Sequence, residues 1–335
     1  MEIKAYAVKE PKNQLEPWNY TSNELNAFDV HIEIDHCGIC YSDVHMMDND
    51  WGITAYPIVP GHEIVGHVKE LGSQVTHLKK GDIVGVGWQR ESCHNCFQCM
   101  KGNENYCTGK RGSTIVKNHG GFASDIVLDA RFCFPIPTGL DLKKTAPLLC
   151  GGITVYHGLK AAGMSSGQNI GVIGIGGLGH MAVQFASKMG NNVTVFTTSK
   201  DKTEFAHKLG AESAVLTKEG IPKTLPDGQK LDIILNTVDH PLDWAGYVRL
   251  LNVDGTLCFV GNPGNITIDA GLLFQRKKIM GSSIGSRYMI TEMLNNVKKY
   301  NIGAIIEEFP LKDVNSAITK LKANNIRYRA VLNMK

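Results

Sequence analysis

The sequence predicts an α/β protein of two domains, a doubly wound parallel six-stranded sheet joined to a mostly β domain. Three observations predict it. The chain has 335 residues, 43% of them hydrophobic and 20% charged, which is enough for two cores and too apolar for disorder. The residue pattern changes character near position 150. Just past that point an apolar run leads directly into a glycine-rich turn that opens a helix.

Up to about residue 149, short β-branched runs are separated by Gly, Pro and Asp: Val30–Ile34, Ile64–Val68, Ile83–Val86 and Ile126–Leu128. Their spacing predicts a compact β domain with irregular loops. From 150 to 285, Asn169–Ile173, Val193–Thr198, Ala214–Leu216, Leu231–Val238, Thr256–Val260 and Ile279–Ile284 read as buried parallel strands. Leu178–Met189 and Lys202–Leu209 between them have helical periodicity. Six such strands with intervening helices predict the order 3-2-1-4-5-6. The remainder reads as a helix (Met289–Tyr300), the stretch Ala304–Phe309, a second helix (Val314–Ala323) and a last strand (Ala330–Asn333). With six strands already complete, this tail is expected to return to the first domain. The expected domains are therefore 1–149 with 286–335, and 150–285.

A net charge of +3 is too weak to indicate a nucleic-acid partner. No apolar run approaches the ~18 residues of a membrane span, and MEIKAYAVKE lacks the apolar core of a signal peptide. A cytoplasmic protein with no membrane association is expected. Its nine cysteines are an odd number on a long, aliphatic chain, and four crowd together at Cys93, Cys96, Cys99 and Cys107. In a reducing compartment such a cluster reads as metal ligation. Four thiolates on one lobe suit a tetrahedral structural zinc closed to water, with an iron–sulfur cluster as the rival.

After the strand Asn169–Ile173 comes Gly174-Ile-Gly176-Gly177-Leu178-Gly179. In such a loop the first glycine makes the turn, the second admits a pyrophosphate, and the third lets the helix pack on the strand. The helix N-terminus then faces the phosphates. The second strand ends in Thr198-Ser199-Lys200-Asp201-Lys202, where an NAD site places a ribose-binding carboxylate. Hydroxyls on Thr198 and Ser199 and the amines of Lys200 and Lys202 suit a 2′-phosphate instead, so NADP(H) is expected over NAD(H).

Three further residues are dispersed. Cys40 lies in Cys37-Gly-Ile-Cys40-Tyr41-Ser42-Asp43-Val-His45, His62 in Gly61-His62-Glu63, and Cys150 at the domain junction. Each singly is ordinary as a packed thiol or a core imidazole. Together, two Cys and one His would leave a tetrahedral zinc one open position, and sequence alone does not bring them together.

At these residues the chain resembles the zinc-dependent medium-chain dehydrogenases, more narrowly the cinnamyl alcohol dehydrogenase-like alcohol dehydrogenases. Gly61-His62-Glu63-x2-Gly66-x5-Gly72, the four-cysteine lobe, Cys150-Gly-Gly-Ile-Thr154 and Gly-Ile-Gly-Gly-Leu-Gly-His carry the resemblance along nearly the whole chain. It implies a Rossmann sheet plus a GroES-like catalytic domain, two zinc ions per subunit, NADP(H) and a homodimer paired through the edge strand near Thr256–Ile284. It implies Cys40, His62 and Cys150 as catalytic-zinc ligands, Glu63 as an alternate ligand, and Asp43 as the carboxylate that orients His62. Ser42 and His45 take the positions of the proton relay. Thr154 falls near the nicotinamide, Ile284 is a further cofactor-binding candidate, and Arg329 falls at the pyrophosphate, with Arg327 a near rival. Tyr41 departs from the family, where many relatives have Arg or His. Trp51 and Trp88, with Tyr56 and Ile284, are candidates for an apolar substrate pocket. The activity implied is interconversion of primary alcohols and aldehydes, aromatic or medium-chain, run mainly as aldehyde reduction. A polyol or formaldehyde dehydrogenase on the same fold is the rival reading, and a non-enzymatic zinc module a more distant one.

Overall fold

The computed structural model describes residues 1–226 and 228–335, which divide into two compact units. The first holds Met1–Cys150, Gly285–Lys299 and Gly303–Lys335; the second holds Gly151–Ile284 and Tyr300–Ile302. No helix among the described residues is long and apolar enough to cross a membrane.

The second unit is built on six parallel strands. In spatial order they are Ser213–Leu216, Asn192–Thr197, Asn169–Ile173, Leu231–Asn236, Leu251–Phe259 and Lys278–Gly281, which is 3-2-1-4-5-6. Their apolar runs are continuous because helices such as Gly151–Ala161, Gly179–Lys188 and Trp244–Leu250 cover them; Val172, Val195, Ile234 and Leu257 are fully buried. Two strands stop two or three residues earlier than their hydrophobicity predicts. The fourth ends at Asn236, whose side chain donates to Val238 O (2.9 Å) and accepts from Val238 N (3.2 Å), turning the chain locally. The sixth ends at Gly281, and Ile284 lies beyond it at φ +34°. The fifth starts earlier than predicted, at Leu251, with a register shift against its neighbour between Leu231 and Ile233.

The first unit is organised by one long strand, Asp29–Ile39. It pairs antiparallel with Glu63–Leu71 along one edge. The other edge serves Asp125–Asp129 over its first half and Arg329–Asn333 over its second. Ile306–Pro310, Ile83–Val86 and Cys133–Pro135 complete a seven-stranded sheet. Glu2–Ala7 and Glu16–Thr21 form a separate antiparallel pair. Ile32, Ile34, Ile64, Val84, Phe122 and Leu332 fill the core beneath it. A short helix, Tyr41–Asp48, follows the long strand at once, and the strand Glu63–Leu71 starts beside the strand's end. Both elements therefore begin where Cys40 ends the extended run.

Candidate metal centre and cofactor loop

The first unit gathers one donor atom each from Cys40, His62, Glu63 and Cys150 within 4.8 Å of one another. Cys40 Sγ and Cys150 Sγ are 4.0 Å apart, and His62 Nε2 is 3.2 Å from Cys150 Sγ. Asp43 fixes this arrangement. Its Oδ1 accepts from His62 Nδ1 (2.8 Å) and from Gly61 N (2.9 Å), while its Oδ2 accepts from Cys40 N (2.8 Å). With Nδ1 holding the proton, Nε2 turns its lone pair toward the sulfurs. Asp43 also occupies the third position of the short helix, so one carboxylate caps the helix and orients a ligand.

Glu63 is fully buried and ion-paired with Arg329, but its Oε2 has no hydrogen-bond partner. Burial pushes its carboxyl up to about 7, against the pull of Arg329. The Cys40 thiol is drawn well below its ordinary range by the Cys150 sulfur and by His62, against burial, while Cys150 is pushed well up. His62 is held well above its usual value: burial opposes the charge, and Asp43 outweighs it. Two sulfurs, an imidazole and an unsatisfied carboxylate oxygen confined in a dry pocket are the donor set of a soft divalent cation, and zinc fits. Gly38 makes room for the Glu63 carboxylate, since a Cβ there would overlap Oε2.

The second group is Cys93, Cys96, Cys99 and Cys107, again within 4.8 Å. Three sulfur pairs lie at 3.4–3.9 Å. Tetrahedral zinc with bonds of about 2.3 Å places its sulfurs about 3.8 Å apart, so the spacing fits. Cys96 and Cys107 flank the short helix Phe97–Met100 and the turn Glu104–Tyr106. Backbone N–H groups of Cys99 and Thr108 pull the Cys96 thiol down to about 5, while burial raises Cys99 to about 12. All nine cysteines are free of disulfides, and Cys37, Cys133 and Cys258 are buried among apolar residues.

Ser42 and His45 stand on successive turns of the helix Tyr41–Asp48, both half-buried. His45 Nδ1 bonds Asp50 Oδ2 at 2.7 Å. Sequence reasoning missed Asp50, and the only available signal was an acid five residues after the histidine. Rings connect this helix to the metal group. Tyr41 packs on His45 (5.0 Å), His45 on Trp51 (5.2 Å), Trp51 on Trp88 (6.1 Å) and Trp88 on His62 (4.9 Å). Trp51 and Trp88 are therefore brought to the metal group. Tyr56 is not: its hydroxyl donates to Met47 O at 2.8 Å and its ring packs on the core.

The glycine loop lies in the second unit, between the strand Asn169–Ile173 and the helix Gly179–Lys188, with Leu178 at the helix cap. Gly174 has φ +86°, and a Cβ there would meet Val238 at 2.6 Å. A Cβ on Gly179 would overlap Gly174 O, whereas one on Gly176 would meet nothing within 4 Å. The loop is thus tight at both ends and open in the middle, a cradle for a pyrophosphate. Gly177 follows within the same loop. Past the neighbouring strand, Thr198 and Lys200 are exposed and Ser199 and Lys202 half-buried; Asp201 starts the next helix. Thr154 is half-buried on Gly151–Ala161, and Ile284 is half-buried at the unit's end. Arg329 lies in the first unit, 6% exposed, with Nη2 given to Glu63 and Nε unpartnered.

Two family descriptions match the chain, "Alcohol dehydrogenase GroES-like domain" over residues 26–138 and "Zinc-binding dehydrogenase" over 177–299. An aldehyde reductase of Synechocystis is 38% identical, with 98% of each chain covered. Cinnamyl alcohol dehydrogenase 8 of Arabidopsis thaliana is 40% identical, over 98% of this chain and 94% of that one. Among solved structures, a cinnamyl alcohol dehydrogenase of Sorghum bicolor superposes with a TM-score of 0.90 at 34% identity, covering 99% of this chain and 98% of that one. One from Helicobacter pylori, solved with NADP(H), gives 0.90 at 32% identity, covering 100% and 98%. With relatives this similar along its full length and a donor set suited to the metal, the chain belongs to the zinc-dependent alcohol dehydrogenases, in the group of the cinnamyl alcohol dehydrogenases.

Proposed function

We propose that the protein is an NADP(H)-dependent enzyme that interconverts primary alcohols and aldehydes, aromatic or medium-chain, and runs mainly as an aldehyde reductase. The observation that carries this reading is the convergence of Cys40, His62, Glu63 and Cys150 within 4.8 Å around an imidazole held by Asp43. When bound, zinc supplies Lewis acidity toward the substrate oxygen, and the nicotinamide supplies or accepts the hydride. Cys40, His62 and Cys150 are the metal ligands, and Glu63 offers its free Oε2 as an alternate one. Ser42 Oγ takes the alcohol proton during oxidation and returns one during reduction. His45 passes that proton onward, and Asp50 holds its Nδ1. Trp51 and Trp88 wall the substrate off from water. Cys93, Cys96, Cys99 and Cys107 hold the structural zinc and take no part in the chemistry.

The unit holding Gly151–Ile284 serves as the NADP-binding domain, and the unit holding Met1–Cys150 as the catalytic one. Gly174, Gly176, Gly177, Leu178 and Gly179 cradle the pyrophosphate, and Arg329 is a further cofactor-binding residue. Thr198, Ser199, Lys200 and Lys202 hold the 2′-phosphate, Thr154 contacts the nicotinamide, and Ile284 also binds the cofactor. The enzyme is cytoplasmic. A homodimer is supported by the edge strand Lys278–Gly281, which is paired on one side only.

The test is NADPH consumption across aromatic, aliphatic and sugar-derived aldehydes, repeated with NADH. Turnover is expected with NADPH on aromatic and medium-chain aldehydes, with sugar aldehydes poor because the pocket walls are indoles. Consumption of neither cofactor with any aldehyde sinks the reading.

A further inference from the structure

The first unit contains a cavity of about 600 Å³ lined by none of the metal-group residues. That volume is within the range of small-molecule sites. It lies where the pair Glu2–Ala7 and Glu16–Thr21 faces the strand Asp125–Asp129, with Arg90 on its wall. Tyr20 and His119 supply a flat side. Their rings are 4.6 Å apart, and Trp18 backs both, stacked on Tyr20 at 5.3 Å and edge-on to His119 at 5.0 Å.

The lining holds three cations, Arg90, Lys110 and Lys117, and three carboxylates, Asp29, Glu91 and Asp129, but two of the carboxylates are already paired. Glu91 is taken by Lys110 at 2.5 Å and Asp129 by Arg131. Asp29 accepts two hydrogen bonds from Asn26. Among the described residues, Arg90 makes one hydrogen bond, from Nη2 to Val127 O at 2.5 Å, so most of its five donors remain unused. Among the described residues Lys117 forms no ion pair and His119 Nδ1 has no hydrogen-bond partner. Two cations, Arg90 and Lys117, thus stand against the single unneutralised carboxylate Asp29. Arg90 is close enough to act electrostatically on both Tyr20 and His119. Burial raises the Tyr20 phenol to about 12, which keeps it neutral and able to donate.

We propose that this cavity is a second ligand site, which binds a small planar aromatic carboxylate. Its carboxylate forks onto the Arg90 guanidinium, assisted by Lys117, and its ring lies on the Tyr20–His119 face. The site goes beyond the dehydrogenase reading and shares no residue with it.

The test is calorimetric titration of the zinc-loaded enzyme with benzoate, benzamide and acetate. Benzoate is expected to bind saturably and at least about tenfold more tightly than either of the others, because each lacks one half of the recognition. Arg90→Gln is expected to weaken benzoate at least about tenfold while zinc content and aldehyde turnover stay at the wild-type level. Lys117→Asn, chosen because position 117 has φ +57° and Asn tolerates that region, gives a second variant should the first not fold. It is expected to weaken benzoate about threefold or more. Benzoate binding no tighter than benzamide and acetate overturns the proposal. So does benzoate affinity unchanged in the variants that fold, which would place the ligand at the metal instead.

Discussion

Asp43 does the work of three residues. It caps a helix, holds the His62 tautomer and pins the Gly61 turn. Asp43→Asn keeps the shape but presents an N–H where an acceptor is needed. Zinc affinity or turnover should fall about 10–100-fold, read by metal release to a colorimetric chelator alongside kinetics. Ser42→Ala should lower turnover about 100-fold or more with zinc content intact, since it removes a proton carrier and no ligand. Equal turnover would take Ser42 out of the relay. Tyr41→Arg supplies the cation that the resemblance implies at this position, so the NADP(H) dissociation constant should fall. At this scale Cys93, Cys96, Cys99 and Cys107 were legible from their spacing, whereas Cys40, His62, Glu63 and Cys150 came into view as a set only through the family resemblance. The Glu63–Arg329 pair and the Gly38 clearance were not legible, since each joins residues whose proximity only the folded sheet creates.

Elements differ in how openly they announce themselves. The six strands of the second unit were legible because burial on both faces leaves uninterrupted aliphatic runs, and the glycine loop marked the first of them. Their ends were less so: Asn236 stops its strand through its own side chain, a local competition that hydrophobicity does not register. The helix Tyr41–Asp48 went unread, being two turns long with little amphipathic periodicity. It nevertheless carries Ser42 and His45, the two residues of the proposed relay. The loop after the second strand supports a further prediction. Lys200→Asp should weaken NADPH use about 10–100-fold and spare NADH, if the amine neutralises the 2′-phosphate. In the cysteine lobe, Cys93→Ser should release one zinc per chain and lower the yield of folded protein before it alters the chemistry.

For the whole molecule, acid is the condition to examine. Asp129 is half-buried, and burial tends to raise its carboxyl, but bonds from Arg131 carry it below its ordinary 3.8. The unfolded chain therefore binds the proton first as pH falls. The stabilisation is complete above about pH 4 and is lost below that as the native carboxyl protonates. Asp129→Asn should flatten the fall in urea midpoint between pH 5 and 3 relative to wild type. The fold class was legible at this scale because each half has its own residue rhythm. The strand Asp29–Ile39 sharing one edge between two partners was not, because pairing register depends on contacts almost 300 residues apart.

Cys150 is the last residue of the first unit before the chain crosses over, and all four donors of the metal group lie on that side of the crossing. Excising 151–284 and closing the gap with a flexible tether should therefore leave a miniature metalloprotein. Loaded with cobalt, it would report both coordination spheres in its visible spectrum while having lost every trace of redox turnover.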